Sequence, residues 1–277
     1  MNKFYLSEIN IYPIKSLGGI SLNEAEIEEK GLQHDRRWML IDEEGTFITQ
    51  RKHFELALLQ VDIAENIMTV SHKKNLNHAI SFSIDEETGE SISVTVWDDR
   101  STGFEVNTKV SNWFSEFLKM KVRLVKMASA DRRLVDQRYA SNNETVSFAD
   151  GYPCLLIGQS SLNGLNEKLS MPIRMDRFRP NFVFTGGIPH VEDNFSTFFL
   201  GDVLFSAVKP CARCVLITID QQNGLKGQEP LRTLAGYRTA GKKILFGQNL
   251  IHKGSGIIRL GDELRIEEWK AMANITE

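Results

Sequence analysis

Two of the three cysteines lie in one short segment, Cys211-Ala212-Arg213-Cys214, directly before an apolar run. The thiolate is the form of cysteine that attacks electrophiles and binds metals, and a neighbouring cation such as Arg213 favours it. The β-branched run at residues 215–220 predicts a strand that would hold the thiolate in place. The segment therefore predicts either a nucleophile or a metal ligand.

The cysteine pair allows three chemical interpretations, and its surroundings disfavour two of them. A structural zinc site needs further ligands, and none of the six histidines forms an H-x3–5-H motif near the pair. A thioredoxin-like pair begins a helix, whereas this pair precedes a β-branched run. The remaining interpretation is one functional thiolate, with the other cysteine as a small buried hydrophobe. Cys154, inside an apolar run, is predicted to be structural.

Several polar loops carry cations that could bind a phosphate if the fold brings them together. They are Lys15 and Ser16 after Pro13, Arg36 and Arg37 after Asp35, Arg177 and Arg179 before Pro180, and Arg213 between the cysteines. Arginine offers a planar fork and lysine a point charge to phosphate oxygens. Each arginine taken alone is typical of a surface charge or a salt bridge. Convergence of the loops would turn them into an anion site, and spacing alone does not establish it.

The composition is that of an ordinary globular protein. Of 277 residues, 42% are hydrophobic and 25% are charged, and the net charge is −3. A chain without an overall positive charge is not predicted to bind nucleic acid or anionic membranes, so an anion site would be local. The odd cysteine count, the lack of a signal peptide and the lack of an apolar run of roughly 18 residues predict a cytoplasmic protein that does not bind membranes.

The first part of the chain contains many short, alternating apolar segments. They lie at residues 4–11, 25–29, 38–42, 46–50, 56–63, 67–71, 80–84 and 92–97. Strands at this spacing indicate a barrel or a sandwich rather than βαβ units. Asn107 is predicted to cap a helix that runs to about Met120, and its apolar stripe is typical of a core face. A domain boundary is predicted just after this helix.

The second part of the chain is predicted to contain both strands and helices. A long polar loop is expected over residues 129–145. Ser160 is predicted to cap a short helix that ends near Leu169, and another helix is expected over residues 229–237. Strands are expected at residues 181–185, 203–208, 215–220, 244–251 and 264–266. Asp220, at the end of one of them, is more typical of a turn or cap than of a proton shuttle.

Seven motifs occur in order from about residue 5 to residue 268. They are Tyr12-Pro13-Ile14-Lys15-Ser16, Asp35-Arg36-Arg37-Trp38, Ser147-Phe148-Ala149-Asp150-Gly151-Tyr152-Pro153, Phe178-Arg179-Pro180-Asn181, Lys209-Pro210-Cys211-Ala212-Arg213-Cys214, Glu229-Pro230-Leu231 and Phe246-Gly247-Gln248-Asn249. Together they resemble the MOSC family of molybdenum-cofactor proteins. The nearest branch contains the bacterial hydroxylaminopurine-resistance proteins and the mitochondrial amidoxime-reducing components.

The resemblance implies a mixed α/β, β-rich fold in two domains. An N-terminal β-rich MOSC-associated domain, residues 1–120, would pack on a MOSC β-barrel with a few helices, residues 121–277. A molybdenum–pyranopterin cofactor (Mo-molybdopterin) would lie between them. Cys214 would be the metal ligand and the catalytic residue. The residues implied to line or bind the cofactor are Lys15, Ser16, Arg36, Asp150, Gly151, Tyr152, Arg179, Asn181 and Arg213.

The chemistry implied is two-electron reduction of the N–O bond in a small N-hydroxylated substrate, such as a hydroxylaminopurine or an amidoxime. Bacterial members often carry a C-terminal [2Fe–2S] ferredoxin domain, but no cysteine follows Cys214 here. No iron–sulfur cluster is therefore expected in this chain. Binding of pyridoxal phosphate is not expected either. A separate electron-donor protein, a flavin reductase or a ferredoxin-like protein, would supply the electrons.

Two hypotheses of other classes accompany this one. MOSC domains elsewhere serve cofactor maturation, so the chain could be a cofactor-binding or sulfur-carrier module without turnover of its own. It could also be a metal-free cysteine oxidoreductase, in which Cys211 and Cys214 form a disulfide readily.

Overall fold

The computed structural model describes residues 3–270 of the chain. Short strands dominate it. The strands are β1 (Tyr5–Ile11), β2 (Ile20–Leu22), β3 (Glu24–Glu28), β4 (Gly31–Leu32), β5 (Trp38–Ile41), β6 (Leu59–Ala64), β7 (Ile67–His72), β8 (Asn75–Ser83), β9 (Ser91–Val96), β10 (Asp99–Glu105), β11 (Arg123–Met127), β12 (Cys154–Gly158), β13 (Phe182–Thr185), β14 (Phe195–Leu200), β15 (Val203–Arg213), β16 (Thr239–Ala240), β17 (Lys243–Lys253), β18 (Gly256–Arg259) and β19 (Leu264–Trp269).

Few helices accompany these strands. The α-helices are α1 (Thr108–Leu118), α2 (Gln159–Asn166) and α3 (Leu231–Ala235), and 3-10 helices occupy Phe54–Leu58, Met175–Arg177, Val191–Asn194 and Val215–Thr218. Within the described residues, no helix has both the length and the apolar character needed to cross a membrane. The predicted β-rich, mixed fold class is confirmed.

The largest sheet closes on itself. Its strand order is β19-β14-β15-β17-β12-β13-β1-β2, with β16 added to β17. The amide of Leu6 in β1 donates to the carbonyl of Asp262, and the amide of Leu264 donates to the carbonyl of Phe4. The start of β19 therefore pairs back to β1 and completes a β-barrel. Its interior is packed with aromatic side chains, including Phe182, Phe184, Phe195, Phe198 and Phe205.

A second, smaller group of strands lies in the order β5-β11-β10-β9. Isolated bridges from Thr46 to Thr95 and from Phe47 to Ile41 join the two edges of this sheet. Helix α1 begins as predicted, because the Asn107 side chain accepts a hydrogen bond from the amide of Val110 at 2.7 Å. Its apolar face packs into the core of this half.

The two halves share strands across the predicted boundary after residue 120. Strands β1 and β2 belong to the large barrel, and β3 pairs with β18 near the end of the chain. Strand β11, which follows the boundary, pairs with β5 and β10. The division into residues 1–120 and 121–277 stays a prediction.

The predicted strand at residues 215–220 is wrong. Strand β15 runs through Arg213, and the chain then turns into the 3-10 helix Val215–Thr218. Ile217 packs there in a buried cluster with Phe178 and Phe246. A short β-branched run fits a strand locally, but tertiary packing decides the conformation of so short a segment.

Other local predictions also failed. Residues 46–50 form isolated bridges rather than a strand, and the segment at residues 56–63 begins in the 3-10 helix Phe54–Leu58 before entering β6. Ser160 does not cap helix α2, because its hydroxyl donates to the carbonyl of Gly187 at 3.0 Å. Eight strands had no predicted counterpart: β2, β4, β10, β11, β12, β14, β16 and β18.

An irregularity in strand pairing lies beside the two cysteines of the motif. Pro210 pairs with Gln248 and Ala212 pairs with Leu245, so one residue of β15 faces two residues of β17. Gly247 has a φ of +81°, and a Cβ there would lie 2.7 Å from the side chain of Ile157. A glycine in the left-handed region is the usual means of forming such a bulge, which bends the strand and redirects its side chains.

Candidate functional site

A cavity of about 370 Å³ contains every residue that the sequence implied for the site. Its lining includes Lys15, Ser16, Arg36, Asp150, Gly151, Tyr152, Arg179, Asn181, Arg213 and Cys214. Five cationic side chains line it and only one carboxylate, that of Asp150. The polar loops therefore converge, and they make a locally cationic pocket in a chain of net negative charge.

The loop after β1 places Lys15 in the lining of the cavity. Its ammonium donates to the carbonyl of Phe148 at 2.7 Å and to Asp150 Oδ1 at 2.6 Å. The adjacent Ser16 has a φ of 72°, and its carbonyl accepts a hydrogen bond from Gln50. Left-handed backbone at a residue other than glycine is uncommon and costs free energy, so the surrounding contacts fix this turn.

Burial lowers the pKa of Lys15 to about 8, although Asp150 opposes the shift. Asp150 behaves differently. Burial alone would raise its pKa, but Lys15 and Arg51 outweigh that effect and hold it well below the usual range. Because 56% of the Asp150 side chain remains exposed, the ion pairs decide the direction. The carboxylate is therefore charged at neutral pH.

A pH dependence of stability follows from the buried Lys15. Its pKa is lower in the folded than in the unfolded chain, so the unfolded chain binds more protons between pH 8 and 10.5. The free energy of unfolding of the cofactor-free protein then gains about 2 kcal/mol from this residue between pH 7 and 10. Denaturant unfolding at both pH values should show this gain in wild type and not in Lys15→Met. Equal pH dependence of the two proteins would contradict the assignment.

Two arginines stack on the buried aromatic ring of Tyr12. The guanidinium carbons of Arg36 and Arg179 lie 4.3 and 4.2 Å from the ring centroid of Tyr12. Arg36 also pairs with the buried carboxylate of Asp35 at 2.7 Å and donates to Asn181 Oδ1 at 3.2 Å. These contacts hold both cations at the cavity wall without neutralising Arg179.

Arg179 and Arg213 retain donors that no group within residues 3–270 uses. Arg179 Nη1 donates to the carbonyl of Leu17 at 2.6 Å, but its Nη2 is buried and has no partner. Burial lowers the pKa of Arg179 to about 10, so the side chain remains charged at neutral pH. The Nε of Arg213 is likewise buried without a partner. Buried donors of this kind are rare unless a ligand or water satisfies them.

Asn181 and Gly151 contribute to the same wall in different ways. The Asn181 amide accepts from the backbone N–H of Leu155 and donates to the carbonyl of Asn10, so it also ties β1 to β12. A Cβ at Gly151 would meet nothing within 4 Å, which leaves open space in front of this turn. Arg133, only 4% exposed, braces the turn through the carbonyls of Ser147, Ala149 and Asp150.

The two cysteines of the motif have different partners. Cys211 is half-buried and accepts a hydrogen bond from Arg213 Nη1 at 2.9 Å, so it is not the fully buried side chain that was predicted. Cys214, also half-buried, accepts from Arg51 Nε at 3.3 Å. The cation beside Cys214 therefore comes from the N-terminal half of the chain, and not from the arginine between the cysteines.

Arg51 and Trp97 also line the cavity and were not predicted. Each gives one hydrogen bond to the Asp150 carboxylate, at 2.8 and 3.2 Å. The cationic pair Arg51-Lys52 after an apolar segment was the available signal, but basic residues at that position are common on surfaces. By contrast, Arg177 pairs with Asp220, which caps the turn at Gln222, as is typical of such an aspartate.

The donor set fits a cofactor that brings its own metal ligands. Among residues 3–270, no three His, Cys, Asp or Glu side chains are arranged to hold a metal ion. A single thiolate can complete the coordination of a metal that already carries soft sulfur ligands. The free donors of Arg179 and Arg213 and the space at Gly151 fit an anionic group of that cofactor, such as a phosphate.

The chain matches two family models. One, described as the MOSC N-terminal beta barrel domain, covers residues 3–121, and the other, described as the MOSC domain, covers residues 143–265. The two models together cover most of the chain, and both are models of MOSC proteins.

Comparison with curated proteins shows which members of the MOSC family this chain is similar to. Mitochondrial amidoxime-reducing component 1 of Mus musculus is 32% identical over 276 residues, which cover 93% of this chain and 80% of that protein. The Homo sapiens component 1 is 30% identical, with 93% and 81% covered. A molybdenum cofactor sulfurase of Oryza sativa subsp. japonica is 31% identical over 269 residues, which cover 89% of this chain but 32% of that protein.

The chain belongs to the MOSC family, in the branch that includes the mitochondrial amidoxime-reducing components. Its function is related to the molybdenum cofactor. A solved bacterial protein from Bordetella bronchiseptica aligns with 37% of this chain and 85% of that one, at 16% identity and a TM-score of 0.29, which is too weak a similarity to support any argument.

Proposed function

We propose that the protein is a molybdenum-cofactor-dependent reductase of N-hydroxylated compounds. The observation that carries this proposal is the convergence of all ten implied residues on one cavity, with Cys214 at its wall. The relatives matched over most of their length are named amidoxime-reducing components, and an amidoxime is an N-hydroxylated compound.

Different residues of the chain would bind different parts of the cofactor. Cys214 would bind the molybdenum through its thiolate. Arg179 and Arg213 would bind the phosphate through their unpaired donors, and Lys15 would add positive charge to the same cavity. Ser16 and Gly151 would line the pterin. When bound, the cofactor supplies the two-electron chemistry that reduces an N–OH group to N–H, with uptake of two protons and release of water.

The protein itself provides orientation and charge. Asp150 holds Lys15, Arg51 and Trp97 in one arrangement, and this network joins the two halves of the chain at the cavity. Residues held by several contacts lose little freedom when a ligand binds, which favours tight and well-oriented binding. We propose that a separate electron-donor protein delivers the electrons, as the sequence implied.

A second candidate function is a cofactor-binding or sulfur-carrier module without turnover. It is favoured by the similarity to molybdenum cofactor sulfurases, of which the chain spans about a third of the length. Such a module would exchange cofactor with other proteins and would leave an N-hydroxylated substrate unchanged.

One assay separates the two functions. Cofactor-loaded protein is supplied with an artificial electron donor and a panel of amidoximes, hydroxylamines and hydroxylaminopurines, and the reduced products are quantified. The reductase is expected to turn over at least one class many times per molybdenum. Loaded protein that is inert on the whole panel, yet passes its cofactor to a cofactor-free acceptor, would establish the module instead.

A further inference from the structure

Arg51 makes contacts with both halves of the candidate site. Its Nε donates to Cys214 Sγ at 3.3 Å and its Nη2 donates to Asp150 Oδ2 at 2.8 Å. The Arg51 side chain is 17% exposed, whereas 56% of the Asp150 side chain is exposed, so the contact with Cys214 is the more shielded of the two. A single planar guanidinium thus reaches the thiol and the central carboxylate of the cavity together.

Local structure fixes this guanidinium from two other sides. Thr49 Oγ1 accepts hydrogen bonds from the Arg51 backbone amide and from Nη1, both at 3.2 Å. The indole ring of Trp97 covers the guanidinium, with the Arg51 Cζ 4.6 Å from the ring centroid. The Arg51 fork is therefore preorganised toward Cys214, and this arrangement does not depend on the cysteine motif itself.

The backbone conformation of Trp97 is energetically unfavourable. It lies in the two-residue turn between β9 and β10 and has a φ of 58°. Bulky residues rarely adopt this left-handed conformation, which turns of this kind normally reserve for glycine, asparagine or aspartate. Its indole N–H donates to Asp150 Oδ1 at 3.2 Å, so the strained turn brings the ring over Arg51 and onto the same carboxylate.

The arginine inside the cysteine motif does not perform this role. Arg213 donates to Cys211 at 2.9 Å and to the carbonyl of Phe178 at 2.6 Å. Cys214 therefore relies on Arg51, which is 163 residues away in the sequence. An arginine this distant makes the environment of the thiolate depend on correct packing of both halves of the chain.

We propose that Arg51 is a positioning residue that orients the Cys214 sulfur and tunes the bound metal through an N–H···S hydrogen bond. A donor to a ligating sulfur draws electron density away from it, which favours the reduced metal and raises its potential. The inference rests on the proposed role of Cys214 as the molybdenum ligand. The family resemblance implied neither a role for Arg51 nor the direction in which it would shift the reduction potential of the metal.

Variants of Arg51 separate this role from a simple ion pair with Asp150. Lysine in place of Arg51 keeps the positive charge near Asp150, but it lacks the fork that serves the sulfur and the carboxylate together. Methionine removes both contacts at similar volume. Lys52→Met is the matched control, because the neighbouring Lys52 is exposed and is equally cationic.

The experiment measures three properties of the loaded proteins: the molybdenum reduction potential by titration with electron paramagnetic resonance, the molybdenum content, and kcat with KM. We expect lower potentials and kcat values reduced at least about tenfold in Arg51→Lys and Arg51→Met, with little change in KM. Lys52→Met should match wild type. If Arg51→Lys folds like wild type but loses molybdenum, that loss also supports an orienting role.

Two results overturn the proposal. The first is a wild-type potential and kcat in Arg51→Lys, which would reduce Arg51 to an ion-pair partner of Asp150. The second is equal changes in Arg51→Lys and Lys52→Met. Failure of the proposed function looks different, because wild-type protein itself would then lack molybdenum or turnover.

Discussion

Cys214→Ser is expected to abolish reduction of N-hydroxylated substrates and to release molybdenum from the protein. Cys214 lines the cationic cavity and accepts a hydrogen bond from the guanidinium of Arg51, so its sulfur lies where the proposed cofactor would bind. Among the described residues, no cluster of His, Cys, Asp or Glu could replace it as a metal site. A serine hydroxyl is a poor ligand for a metal that prefers soft sulfur.

Cys211→Ser is the matched control for this variant. Cys211 belongs to the same motif and lines the same cavity, but its sulfur is paired with Arg213. We expect this variant to keep its molybdenum and a substantial part of its activity. Molybdenum content and turnover are measured for both variants side by side. Loss of both properties in Cys211→Ser, with Cys214→Ser unaffected, would show that the other thiol binds the metal.

Arg179→Met is expected to weaken cofactor retention by roughly ten- to a hundredfold. Its buried Nη2 has no partner in the part of the chain that the structure describes, and a hydrogen bond from a charged donor contributes about 1.5–3 kcal/mol. Methionine fills a similar volume but removes the guanidinium, including its hydrogen bond to the carbonyl of Leu17. Retention is measured as molybdenum per chain after extended dialysis, with thermal unfolding as a check on the fold.

A nearby arginine provides the control for Arg179. Arg174 is exposed and pairs with Asp176 at 3.2 Å on the surface, an interaction that contributes little to stability. Arg174→Met should therefore retain cofactor like wild type. If Arg179→Met also retained its cofactor and unfolded like wild type, the free donor of Arg179 would not be part of the anion site.

The sequence allowed the site residues to be named because they lie in motifs. Proline-flanked loops such as Pro13-Ile14-Lys15-Ser16 and Phe178-Arg179-Pro180 keep their residue types close together in the chain. The resemblance then supplied their roles. Their convergence depends on the closed barrel and its shared strands, and no residue spacing encodes that directly.

The role of Arg51 could not be predicted from the sequence motifs. Its importance comes from contacts with Cys214 and Asp150, which are 163 and 99 residues away. Only the tertiary structure brings these residues together. The same reason explains why the sequence left open which sulfur Arg213 contacts, since adjacency in the sequence does not decide which way a side chain points along a bulged strand.

The general fold was predictable, and several elements were not. Alternating segments correctly indicated β1, β3 and β5, and Asn107 correctly marked the start of α1. The β-branched residues 215–220 failed because burial of Ile217 in a side cluster required a 3-10 turn at that point. Strand β10, with the polar sequence Asp99-Arg100-Ser101-Thr102, lacks the apolar alternation that reveals strands.

Elemental and pterin analysis of protein purified from a cofactor-producing host tests the central claim most directly. The claim is that this cavity holds a molybdenum–pyranopterin cofactor through Cys214. It predicts molybdenum and pterin in equal, near-stoichiometric amounts in wild type, and loss of the metal in Cys214→Ser. Wild-type protein without molybdenum, although the host loads another molybdenum enzyme expressed beside it, would contradict the claim.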